Sequence, residues 1–113
     1  MIDRFLIKTV YDALDEKQAE NIQIIDISNI SIISDYIVIA SAKNSNQIQA
    51  LIDNVEKKMK ENGFCIRGKE GNNNSDWILL DYSDVVVHIF SNDARKYYDI
   101  ERIWADGTII NDI

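Results

Sequence analysis

The chain has 113 residues, 46% of them hydrophobic, a formal net charge of -7, one cysteine and one histidine. That length makes one domain with an ordinary core; no apolar run approaches the roughly 20 residues a membrane helix needs, and a lone cysteine excludes an internal disulfide and suggests no zinc site or redox pair. The acidic balance argues against binding that rests on nucleic-acid phosphates, which needs clustered Lys and Arg; it suits a basic protein partner, or else only keeps a small protein soluble.

The opening MIDRFLIKTVYD carries an acidic residue at once and no small-residue cleavage site, so a cytoplasmic protein is expected. Between Asp3 and Lys17, Phe5, Leu6, Val10, Ala13 and Leu14 recur at helical spacing, with Lys8, Asp12, Asp15 and Glu16 outside the stripe, which predicts an amphipathic helix. Asn21 to Ser28 (NIQIIDIS) is β-branched and too short for a stable helix, so it reads as the first strand. After an Asn/Ser/Ile linker, Asp35 to Ala40 (DYIVIA) is continuously apolar, as a strand covered on both faces should be, and this places it centrally.

Asn44 or Ser45 can cap a second helix that runs to Asn62, with Ile48, Leu51, Ile52, Val55 and Met59 as its buried stripe and Gly63 as its left-handed stop. A short strand Phe64 to Ile66 would then complete a strand-helix-strand crossover with parallel pairing, and Cys65 within it reads as a buried small hydrophobe. Arg67 to Ser75 (RGKEGNNNS) lacks an apolar anchor and reads as a mobile loop able to close over a partner. Its glycines match neither phosphate-binding spacing, G-x-x-x-x-G-K-[ST] or G-x-G-x-x-G.

Ser75 to Trp104 organises the rest. Trp77 to Leu80 and Val85 to Phe90 form an antiparallel hairpin around Asp81-Tyr82-Ser83-Asp84. Alternation sets Trp77, Leu79 and Asp81 on one face of the first strand; on the second, Val85, Val87 and Ile89 form an apolar core face, and Asp84, Val86, His88 and Phe90 the other. Ser91 or Asn92 caps a short helix from Asp93 to Tyr98, Asp99 to Trp104 adds a turn or two, and 105–113 has no periodicity, so it is an ordered edge or a loose tail. The sum is an α/β (α+β layered) domain, a mixed sheet of about five strands flanked by helices.

Asp81, Asp84 and His88 are the only cluster with obvious chemical capacity. Carboxylates flanking a turn ordinarily bond their own backbone, and a lone histidine excludes a two-histidine metal site, so His88 reads as a hydrogen-bonded, partly buried strand residue. No catalytic, metal or cofactor set is complete. Trp77, Tyr97, Tyr98 and Trp104, interleaved with Arg95, Lys96 and Arg102, are the residue types that anchor protein interfaces. Trp104 and one tyrosine are expected in the core, Trp77 and the other tyrosine outside it.

The motifs DWILLDYSDVVVHIF, RKYYDIERIW, KEG, SDYIVIAS and NSNQI together resemble the ribosomal silencing factor (Iojap-like) family over nearly the whole chain, to Asp106. The resemblance implies a single domain over 1–113, nucleotidyltransferase-like in fold but not in activity. It implies a factor that binds the large ribosomal subunit at its protein fourteen, blocks association with the small subunit and represses translation under nutrient limitation. Carried onto this sequence, Trp77, Leu79, Leu80, Tyr97 and Tyr98 face that protein, and Asp84 and His88 shape the surface, with little direct contact to nucleic acid. Two departures stand out, Ser83 and Ala42 where the family usually has glycine, so the backbone there either avoids positive φ or accepts about 1 kcal/mol. Two other readings remain open: a metal-dependent nucleotidyltransferase-like enzyme using Asp35, Asp81 and Asp84, and a homodimer that buries the Trp77 face off the ribosome.

Overall fold

The computed structural model describes residues 4–32, 34–72 and 74–110. In chain order the elements are α1 (Arg4–Glu16), β1 (Glu20–Asp26), β2 (Tyr36–Ala42), α2 (Ser45–Glu61), β3 (Gly68–Glu70), β4 (Trp77–Asp81), β5 (Val85–Ser91), α3 (Asn92–Tyr98), α4 (Ile100–Ile103) and β6 (Thr108–Ile110). The strands make one six-stranded mixed sheet in the order β3-β4-β5-β2-β1-β6. Every residue of β2 is buried, as a central strand covered on both faces requires.

Leu6, Val10, Ala13 and Leu14 of α1 and Leu51, Ile52, Val55 and Met59 of α2 pack on one sheet face against Val38, Ala40, Ile78, Leu80, Val85, Val87 and Ile89. Phe5 departs from the predicted stripe: it is exposed and contacts the ring of Phe64 at 6.0 Å. Asn54, buried between the two helices, donates to the Ala13 carbonyl at 2.7 Å, and buried Thr9 of α1 donates to the Phe5 carbonyl at 2.7 Å, so both polar side chains are satisfied. Asn44 caps α2 by accepting from the Gln47 amide, and Gly63, at φ +83, ends it where a side chain would be strained.

Three expectations fail here. The parallel partner of β2 is β5, not a strand at Phe64 to Ile66: Tyr36 to Ala42 pairs in register with Val85 to Ser91. The chain first runs through α2 and the β3-β4 hairpin, so the crossover is longer than the sequence suggested. The predicted mobile loop holds β3, whose Gly68, Lys69 and Glu70 pair antiparallel with Asp81, Leu80 and Leu79. It is an edge strand, and its polar side chains carry no hydrophobic signal. Gly71 follows at φ +87, where a Cβ would lie 2.7 Å from the Trp77 carbonyl oxygen, so glycine alone lets this segment lie against β4. Cys65, outside any strand, is exposed rather than buried. At the C-terminal end, Thr108 to Ile110 pairs with Asp26 to Ile24 as an ordered edge; 111–113 lie outside the described residues.

Candidate functional site

The second sheet face is covered unevenly. Phe90, Ala94, Ile100, Ile25, Ile27, Ile37 and Ile39 form a smaller core there, because α3 and α4 lie over only part of the sheet. The seven-residue α3 buries Ala94 alone, and the four-residue α4 buries Ile100 alone. Arg95 holds the two together: its guanidinium donates to both carboxylate oxygens of Glu101 at 3.1 and 3.2 Å and to Ser41 Oγ on β2 at 2.8 Å. The planar fork of arginine suits this three-way bridge, and a lysine could not span it.

The uncovered sector lies on β4 and β5. Trp77 and Leu79 are half-buried, while Ile78 and Leu80 between them point into the main core. Beside this sector opens a cavity of about 240 Å³ lined by Trp77, Leu79, Val86, His88, Ile37 and Trp104, and closed by Ser31, Ser34, Ile27, Ile100 and Ile103. Trp77 is its keystone. The indole lies 5.1 Å from the ring of Phe90 in a stacked arrangement and 4.9 Å from Tyr98, and Tyr97 meets Tyr98 edge-on at 5.0 Å. Its Nε1–H donates to Nδ1 of His88 at 3.0 Å.

Burial drives the His88 pKa down to about 4, so at neutral pH the ring is uncharged. The register places Glu70 opposite Leu79 and Asp81 opposite Val86, and Asp84 is exposed at the turn; the apolar sector therefore has an acidic margin. Such an arrangement is complementary in charge and polarity to an apolar surface ringed by basic groups.

The sequence-derived residues divide. Trp77, Leu79 and His88 come together at the cavity, and Tyr98 and Tyr97 extend the aromatic row outward from Trp77. Leu80 does not join them: it is wholly buried on the opposite side of the sheet, since side chains alternate along a strand, so it cannot touch a partner. Neither tyrosine enters the core, with Tyr97 82% and Tyr98 45% exposed, and Trp104 is only partly covered. Asp84 stands at the rim, where its backbone carbonyl accepts from the amides of Asp35 and Tyr36 at 3.0 Å. Asp81 caps the hairpin turn by accepting from the Ser83 amide at 2.8 Å. Asp35, Asp81 and Asp84 form no ion-holding group; among the described residues no three such ligands do.

Ser83 takes φ +70, so the turn adopts the left-handed conformation that glycine enters without strain, and of the two alternatives the backbone accepts the cost. Ala42 lies within β2 and is not among the positive-φ residues. Sequence reasoning missed Ile37, Ile100, Ile103, Ser31 and Ser34, which come from three separate segments and meet only in the fold. The available signal was Ile103, an isoleucine exposed by 70% on a helix too short to bury it.

A profile of the family described as "Ribosomal silencing factor during starvation" matches residues 3–113. The chain is 35% identical over 109 residues to Ribosomal silencing factor RsfS of Bacillus subtilis, covering 96% of this chain and 92% of that protein. It is 34% identical over 110 residues to the protein of the same name from Halalkalibacterium halodurans, covering 97% and 94%. The fold superposes on a crystal structure of a Chromobacterium violaceum protein with a TM-score of 0.88 at 33% identity, over 93% of this chain and 88% of that one.

Proposed function

Because the chain belongs to the family of ribosomal silencing factors, we propose that it binds the large ribosomal subunit at its protein fourteen through the Trp77 face. Once seated, it keeps the small subunit from joining and so lowers translation when nutrients are scarce. One observation supports this most: the open apolar sector of Trp77, Leu79, Val86 and His88 beside a cavity, edged by Glu70, Asp81 and Asp84. A surface of that composition fits a basic protein with an apolar centre.

The action is occupancy, not chemistry. A standard interface takes about 800 Å² from each partner, roughly an eighth of the chain's 6653 Å². Most of a body measuring 35 × 32 × 25 Å then projects from the subunit surface into the space its partner subunit needs. The same sector offers a second copy a place to pair off the ribosome; a strict monomer at high concentration would remove that part of the reading.

The test is subunit joining followed by light scattering. Adding the protein to large subunits before small ones should reduce the joined fraction in proportion to occupancy, and adding it to small subunits first should change nothing further. Unaltered joining at saturating protein would refute the proposal.

A further inference from the structure

The cavity beside Trp77 has a polar feature on its β5 wall that its own chain leaves open. An indole N–H only donates, so the His88 Nδ1 that receives it at 3.0 Å is the unprotonated nitrogen, and the proton of the neutral ring sits on Nε2. Both serines on the wall are engaged: Ser34 Oγ donates to the Ser83 carbonyl at 2.9 Å, and Ser31 also has its own interaction; the indole N–H of Trp104, at the α4 end of the cavity, donates to no described residue. Nε2–H meets no partner among the described residues. Yet among them no buried side-chain nitrogen or oxygen is left without a partner. Nε2 is therefore accessible, and His88 presents its accessible surface to the cavity it lines.

At about 240 Å³ the cavity falls below the roughly 300–1,000 Å³ of sites that hold drug-sized ligands, and it suits a side chain better than a cofactor. Its walls are apolar, which penalises a charged occupant, and Glu70, Asp81 and Asp84 at the margin disfavour an anion in particular. On the reading that this face docks a basic ribosomal protein, we propose that the segment of that protein entering the cavity brings an aliphatic group together with an uncharged acceptor oxygen. That oxygen, a backbone carbonyl or a hydroxyl, accepts from Nε2–H of His88. Trp77 is the positioning residue: by holding Nδ1 as acceptor, it keeps the donor nitrogen turned outward, and a ring freed from it would also sample the tautomer that offers a lone pair to the incoming oxygen.

The experiment measures affinity for purified large subunits for wild type, Trp77→Phe, His88→Phe and His88→Gln, together with the imidazole nitrogen shifts of ¹⁵N-labelled free protein. Wild type should show the Nε2–H tautomer. His88→Phe, which fills the same volume without a donor, should bind roughly tenfold to hundredfold more weakly, as expected when a buried acceptor loses its donor. His88→Gln, which returns an N–H near the Nε2 position, should recover part of that loss. Trp77→Phe should populate both tautomers. If wild type binds and His88→Phe binds equally well, no acceptor meets His88 and the inference is overturned while the docking reading stands. If wild type does not bind, both fall.

Discussion

Lowering the pH should destabilise the fold through His88. An unfolded histidine titrates near 6.5, and burial holds this one at about 4. Above pH 6.5 neither state carries the proton, so His88 contributes no pH dependence there. Between 6.5 and 4 the unfolded chain takes up a proton that the folded chain refuses, and stability falls as the pH drops. Below about 4 both are protonated and the loss is complete. Each tenfold difference in proton affinity is worth about 1.4 kcal/mol, so the full effect is about 3 kcal/mol, of which most is spent by pH 4.5. The assay is urea unfolding by far-UV circular dichroism at intervals from pH 7.5 to 4.5, for wild type and for His88→Phe, which keeps the ring stack on Trp77 and Phe90 but does not titrate. Carboxylates contribute equally to both curves. The wild-type curve should therefore fall more steeply by about 2–3 kcal/mol across that range; parallel curves would refute the reasoning, because they would mean that His88 accepts a proton in the folded state at no cost.

Other substitutions separate fold from face. Leu80→Ala should cost about 3 kcal/mol of stability through the cavity it leaves in the main core, whereas Leu79→Ala, on the half-buried face, should cost about 1 kcal/mol and weaken large-subunit binding; equal denaturation midpoints for the two would contradict the register. Ser83→Gly should stabilise by about 0.5–1 kcal/mol in chemical denaturation, because φ +70 carries no penalty for glycine. Arg95→Lys should cost about 1–3 kcal/mol, seen as a lowered melting temperature, since a lysine cannot reach Glu101 and Ser41 together; an unchanged melting temperature would mean that the bridge does not hold α3 and α4 in place.

The two long helices and the strands β4 and β5 were legible because burial of one face leaves periodic apolar residues, and β2 because burial of both leaves a continuous apolar run. Asp35 to Ala40 showed no alternation for the same reason that it lies mid-sheet: both of its faces are covered. Edge strands were not legible. Gly68, Lys69 and Glu70 pair only through backbone groups with β4, so nothing in their side chains marks them, while Phe64 to Ile66 looked like a strand although only Phe64 packs, against Phe5 and the main core, and Cys65 and Ile66 are exposed. Thr108 to Ile110 was too short to show a period and is a strand only because β1 offers a free edge.

At the site, Trp77, Leu79 and His88 were readable from hairpin alternation, which by itself puts Leu80 on the other side of the sheet. The tyrosine expected in the core was misplaced because helix length, not residue type, decides its burial: α3 has room to bury only Ala94. The cavity was invisible to local pattern, since its far wall comes from the loop at Ser31 and Ser34 and from α4, segments joined to β4 only by the fold.

Co-sedimentation of the purified protein with separated large and small subunits, beside the double variant Trp77→Ala/Tyr98→Ala, tests the docking face most directly. Wild type should travel with the large subunit alone, and the variant, with its circular dichroism spectrum retained, should remain at the top of the gradient. A folded variant that still travels with the large subunit would place the binding surface elsewhere, and a wild type that ignores both subunits would contradict the account altogether.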